Sequence, residues 1–132
     1  MPDRLVVDAS ALVDLLANTG GGPAVADRLR DADLHTPAHL DAEVLSALGR
    51  LHRAGQLSAR QVATRLSRLA GAPIARHPLP PLLDGAWRRR HRVCLADALY
   101  AELAERLGAV VVTTDARLGA ACPKAEVLTP PS

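Results

Sequence analysis

The stretch GAVVVTTDARLG, residues 108–119, decides the fold. Three consecutive valines read as a short buried strand, and the strand runs straight into Thr113, Thr114 and Asp115. The same arrangement stands at the other end of the chain. In RLVVDASALVDLLA, residues 4–17, an apolar run stops at Asp8, with Ser10 just behind it. Two strand ends that each carry an aspartate beside a hydroxyl residue point to one site assembled from both ends of the chain.

Between these ends, short apolar strands alternate with helices. Residues 4–7 read as a strand and 10–17 as a helix with Leu12, Leu15 and Leu16 on one face. NTGGGP, residues 18–23, reads as a flexible loop tip; with no Gly-Lys-Ser/Thr after it, it is not a phosphate loop. A helix over 23–31 and a short strand over 34–36 follow. Pro37 is expected to open a helix that runs to Arg53, closes at Gly55 and buries Leu40, Val44, Leu48 and Leu51. Ser58 and Gln61 have capping-box spacing and start a helix that ends near Gly71. Residues 74–76 suggest another strand, and residues 80–91 a basic helix. Leu95, Leu99, Leu103 and Leu107 mark a helix capped by Gly108, which feeds the valine strand. Val127 and Leu128 suggest an edge strand. Such alternation indicates one α/β domain over residues 1–132, with a mainly parallel central sheet flanked by helices. Parallel strands send their C-terminal ends to one edge, where ligands bind. The aspartates at the two strand ends are then aimed at a common crevice.

Composition narrows the chemistry. The chain has no Phe, one Trp and one Tyr, too few aromatic faces for a base-stacking platform. Cys94 and Cys122 have no metal-ligand spacing and suggest a reducing compartment. The N-terminus lacks the apolar run of a signal peptide, and no stretch approaches a membrane span, so the expectation is a soluble, cytoplasmic protein. Net charge is only +2, yet fifteen of the sixteen basic residues are Arg. That is either a compositional bias or a preference for bidentate phosphate contacts.

Four acidic residues deserve separate weighing. Asp8 and Asp115 each suit a helix cap or turn, but both also place Ser or Thr within two residues. Glu43 and Asp41 flank opposite sides of the Leu40/Val44/Leu48 stripe, and periodicity does not choose between them. Asp97 opens the LADALYAEL helix on its small-residue flank with Ala101 and Ala104, away from the charged face of Glu102, Glu105 and Arg106. A first-turn Asp also gains from the helix dipole.

The settings VVDAS, AEVLSAL, DALYAELAERLG and VVVTTDARL, in that order, resemble the PIN-domain ribonucleases, and among them the VapC-type toxins of bacterial toxin–antitoxin pairs. The resemblance covers nearly the whole chain. It implies a PIN-like fold with the acidic site at the C-terminal edge of the strands. It assigns the catalytic and metal-binding positions to Asp8, Glu43 (over Asp41), Asp97 and Asp115, with Ser10 and Thr113 as supporting hydroxyls. It implies Mg²⁺ or Mn²⁺ as cofactor, RNA as substrate, a cognate VapB-type antitoxin and a homodimer. One departure is Ala96, where many relatives carry Tyr; Tyr100 follows the usual pattern.

The chemistry agrees with those residue types. Hard divalent cations take carboxylate, water and phosphate oxygens, so no catalytic His or Ser is required. The five scattered His read as surface or core residues. Trp87–Arg92, with Arg88, Arg89, Arg90 and Arg92, is the strongest basic run and a candidate RNA contact; a solvated helix face is the plainer reading. A haloacid-dehalogenase-type phosphatase needs an acid where Ser10 stands. A phospho-receiver needs an acidic pair after the first strand, which is absent. The remaining alternative is a non-catalytic PIN-like domain that binds RNA or a partner.

Overall fold

A computed structural model describes residues 2–128. Five strands form one sheet in the order β3-β2-β1-β4-β5, with β1 Arg4–Val7, β2 Asp33–Pro37, β3 Ile74–His77, β4 Val110–Thr113 and β5 Ala125–Val127. Every pairing is parallel, with Val6 set between His35 and Val111. The helices are α1 Ala9–Ala17, α2 Gly22–Leu29, α3 Leu40–Arg53, α4 Ala59–Gly71, α5 Leu83–Arg88, α6 Leu95–Leu107 and α7 Ala116–Ala121.

The chain winds outward from β1 to β2 and β3, then returns to the far side of β1 for β4 and β5. With right-handed crossovers this places α1 to α4 on one face and α5 to α7 on the other. The contacts agree: α1 packs on α2, α3 and α4, while α5 packs on α6. The order reverses between β1 and β4, and the crevice beyond the C-terminal ends of those two strands is where such sheets bind ligands. Leu5, Val6, Val7, Val111 and Val112 are at most 1% exposed, as central parallel strands covered on both faces require.

The local signals have identifiable structural counterparts. Ser58 accepts from the Gln61 amide while the Gln61 side chain accepts from the Ser58 amide, completing the capping box. Gly108 takes the left-handed conformation at φ +62° that ends α6.

Four expectations are corrected. Pro37 ends β2 instead of opening α3. The ladder continues past it, because Ala38 donates to the His77 carbonyl, and Pro37 lacks only its own donor. The 18–23 segment is not a free tip: Gly21 and Gly22 are buried, and a Cβ on Gly22 would lie 2.6 Å from the Asp14 carbonyl oxygen. Glycine there lets α2 start hard against α1. The basic helix is broken: Pro80–Leu82 form a 3₁₀ turn, α5 stops at Arg88, and residues 89–92 are successive turns that deliver buried Val93 to the core. The edge strand lies at Ala125–Val127, and Leu128 continues its ladder through its amide to the Thr113 carbonyl.

Cys94 and Cys122 are free thiols. Among the described residues no helix is long and apolar enough to cross a membrane.

Candidate active site

Asp8 leaves the end of β1 with an extended backbone (φ −94°, ψ 172°) and caps α1 by accepting from the Ala11 amide at 3.0 Å. Capping and site are therefore one arrangement. Its carboxylate, only 4% exposed, also accepts from Ser10 Oγ at 2.8 Å and from Thr113 Oγ1 at 2.5 Å. The two hydroxyls lie 3.0 Å apart and stitch the end of β1 to the end of β4. Ser10 Oγ accepts from the Thr114 amide, and Thr113 Oγ1 from the Asp115 amide. The hydroxyl beside each aspartate thus fixes the backbone that aims both acids.

Asp115 caps α7 through the Arg117 amide. Glu43 lies in the first turn of α3 and accepts a 2.5 Å hydrogen bond from the buried Tyr100 hydroxyl of α6. Asp97 is half-buried in the first turn of α6. All four acids and Ser10 line one cleft of about 480 Å³, with Thr113 buried beneath it. Asp41 lies elsewhere, in a two-pronged ion pair with Arg76 of β3.

The electrostatics are those of clustered, desolvated acids. Burial pushes Asp8 up to about 6, against the hydrogen bonds from Thr113, Ala11 and Ser10 and with a smaller push from Asp97. Asp97 is also raised, first by burial and then by Glu43 and Asp115. Like charges meet in this cleft, and Arg117 and His39 offset them at Asp97 only in part.

The basic run does not join the cleft. Arg89 is 20% exposed and pairs with Glu102 and Glu105, Arg88 pairs with Asp84, and the Arg90 guanidinium lies 4.7 Å over the Trp87 ring. Arg88, Arg89, Arg92 and Arg106, with Glu102 and Glu105, surround a separate hollow of about 460 Å³.

Asp14, a fifth acid on the lining, and three basic residues at or beside the cleft escape a reading by sequence. His39 packs on Tyr100, bonds the Ala96 carbonyl at 2.9 Å and stands 3.4 Å from Glu43. Arg50 and Arg117 line the rim. Their signals were present but faint: Arg50 lies seven residues, about two helical turns, beyond Glu43, and Arg117 lies two beyond Asp115.

The model of the PIN domain matches residues 5–122. Ribonuclease VapC3 of Mycobacterium tuberculosis is 53% identical over 96% of this chain and 93% of its own length. This chain is a PIN domain of the VapC family. Among solved structures, PAE2754 from Pyrobaculum aerophilum matches this PIN domain with a TM-score of 0.69 at 27% identity, over 93% of this chain and 82% of that one. A toxin–antitoxin complex from Klebsiella pneumoniae shares the fold with a TM-score of 0.67 at 15% identity, over 93% and 96%.

The donor set of this PIN domain fits a hard divalent cation: every candidate ligand is a carboxylate oxygen, and Asp97 bears repulsion from Glu43 and Asp115 that Arg117 and His39 offset only in part. Among the described residues no three acidic, His or Cys side chains close on a single point. A carboxylate donor set of this kind suits an ion such as Mg²⁺, which usually keeps several waters and takes one or two carboxylates.

Thr113→Val keeps the volume and removes the hydroxyl that serves both Asp8 and Asp115. We expect a loss of about 1–2 kcal/mol in stability, read from urea unfolding. A change below a few tenths would show that the hydroxyl bridge holds nothing in place.

Proposed function

We propose that this PIN domain is a Mg²⁺- or Mn²⁺-dependent endoribonuclease, the toxin of a toxin–antitoxin pair, that hydrolyses RNA phosphodiester bonds. The supporting observation is the cleft itself, which Asp8, Glu43, Asp97 and Asp115 line from two strand ends and the first turns of α3 and α6. The 53% identity to a protein named a ribonuclease supports the same activity.

Asp8 and Asp97 are the principal ligands in this reading, and Glu43 and Asp115 complete the acidic set. A divalent cation held by these residues would supply polarisation of the phosphoryl group, a lowered pKa for a bound water and an offset to charge on the leaving oxygen. Asp8 is held rigid by its three donors and so presents a fixed anion. Glu43 has Oε1 anchored by Tyr100, which leaves Oε2 to orient the attacking water and accept its proton. Ser10 and Thr113 hold Asp8 by hydrogen bonding. A cognate VapB-type antitoxin and a homodimer belong to the same reading. Leu83, Trp87 and Leu95, each about half exposed around one hollow, support a face that a second copy covers.

The test uses purified protein and Asp97→Asn on a labelled mixture of structured cellular RNAs, with Mg²⁺, with Mn²⁺ and with chelator. Discrete cleavage that stops with chelator and falls about 10³-fold in the variant is the expected result. Uncut RNA under every condition, with RNA or a partner still bound, supports the non-catalytic alternative instead.

A further inference from the structure

We propose that Arg50 and Arg117 form a two-sided clamp for the backbone phosphates on either side of the scissile one. The inference rests on the nuclease reading and names how that site takes hold of RNA. Both residues line the acidic cleft, and they reach it from opposite flanks. Arg50 belongs to α3, which follows β2, whereas Arg117 belongs to α7, which follows β4. The strand β1 that carries Asp8 lies between β2 and β4. The strands that lead into those two helices, β2 and β4, lie two strand spacings apart, roughly 9–10 Å, and the helices cover opposite faces of the sheet.

Their side chains are available. Arg50 is exposed and makes no side-chain hydrogen bond or ion pair among the described residues. The Arg117 side chain is 95% exposed, and its one ionic contact is a loose 3.6 Å approach to Asp115. The other arginines considered as RNA contacts differ. Arg88 and Arg89 are engaged by Asp84, Glu102 and Glu105, and none of the four lines the cleft.

The chemistry needs such a pair. A polyanion entering a cleft lined by five carboxylates, Asp14 among them, is repelled over the whole length that a single cation leaves uncovered. Guanidinium groups at the rim offset that repulsion and bind phosphate through two parallel N–H donors. Glu43, Ala47 and Arg50 lie along one face of α3, so the backbone that enters beside Glu43 passes Arg50 on the same wall. Arg117 then lies past Asp115, on the exit side of the same track.

Arg50→Gln, Arg117→Gln and the double variant test this, with an Arg90→Gln/Arg92→Gln pair for comparison. Binding of a labelled single-stranded oligoribonucleotide of mixed sequence is measured in an Asp97→Asn background across a salt series. KM and kcat are measured with Asp97 intact, on whichever RNA the wild type cuts. Each single change is expected to weaken binding about 3- to 10-fold, to raise KM more than it lowers kcat, and to make the salt slope shallower by about 0.7. The double variant loses about 10- to 100-fold, and its melting temperature equals that of the parent. A double variant that keeps the affinity and salt slope of its parent overturns the clamp, as does an equal loss in the Arg90/Arg92 pair. Failure of the wild type to cut any RNA is a separate result, and it strikes the nuclease reading itself.

Discussion

At pH 7.5 without metal, Asp8→Asn is expected to melt at a higher temperature than the wild type, and with Mg²⁺ or Mn²⁺ present it is expected to lose about three orders of magnitude in cleavage. The reason lies in the burial of Asp8, which raises its carboxyl to about 6 from an ordinary 3.8. Between roughly pH 4 and 6 the folded chain therefore holds a proton that the unfolded chain has released. Stability falls as pH rises through that window, and above pH 6 the folded state carries the full cost of a desolvated anion. A shift of this size corresponds to about 3 kcal/mol at neutral pH, as an upper figure. Asparagine carries no charge and still accepts the Ala11 amide, so α1 remains capped. One of the hydroxyls that donate to Asp8 must turn away from the new amide, which reduces the gain. We expect a net 1–3 kcal/mol, or about 3–10 °C. Excess Mn²⁺ should raise the wild-type melting temperature, since binding to the folded state alone stabilises it, and should raise that of Asp8→Asn much less. Wild-type stability should also grow as pH falls from 6 to 4, with Asp97 acting in the same direction because burial and its acidic neighbours raise it too. A variant that melts below the wild type, with no pH dependence lost, would falsify the electrostatic account of the cleft.

Arg89→Ala is expected to destabilise the fold by about 2–4 kcal/mol, with a melting temperature lower by about 5–12 °C. Arg89 and Glu102 are only 20% and 13% exposed, and Glu102 is held from the other side by Arg106. Gly85 matters here because a Cβ at that position would collide with the Glu102 carboxylate, so the absence of a side chain is what lets the ion pairs lie against α5. Removing Arg89 leaves Glu102 with one partner in a poorly hydrated place, and the uncompensated charge is the larger part of the loss. Arg90→Ala and Arg92→Ala remove exposed side chains and should change stability by less than about 0.5 kcal/mol. Equal melting curves for Arg89→Ala and Arg90→Ala would show that the network adds nothing. The contrast also separates two roles that sequence merges: within one run of arginines, Arg89 holds α6 while its neighbours face solvent.

That run illustrates where local reading reaches its limit. WRRRHR is basic when read alone, but the acids that engage Arg89 lie 13 and 16 residues further on, and only the docking of α5 on α6 brings them together. Periodicity could not choose between Asp41 and Glu43, because the deciding partners are Arg76 on β3 and Tyr100 on α6. The strand ends were legible, since an apolar run stopping at Asp with a hydroxyl nearby is complete within a few residues at each end. The leucine repeat of α6 was legible as a helix and less so as a burial pattern. Leu95 is 49% exposed beside Trp87, whereas Ala98, Ala101 and Ala104 are buried, because small residues let α6 lie close to the sheet. Arg50 and Arg117 carried little signal because exposed arginines are common, and only the cleft distinguishes them.

The hydroxyl stitch joins Ser10 to Thr113, 103 positions apart in the chain. A polypeptide emerging from the ribosome displays Asp8 and Glu43 early, yet has nothing to fix Asp8 from the β4 side until residues 110–115 have left the exit tunnel. A product that stops short of β4 holds three of the four carboxylates and lacks both Thr113 and Asp115. The order of synthesis thus delays the complete constellation until β4 and the turn that follows it have been made.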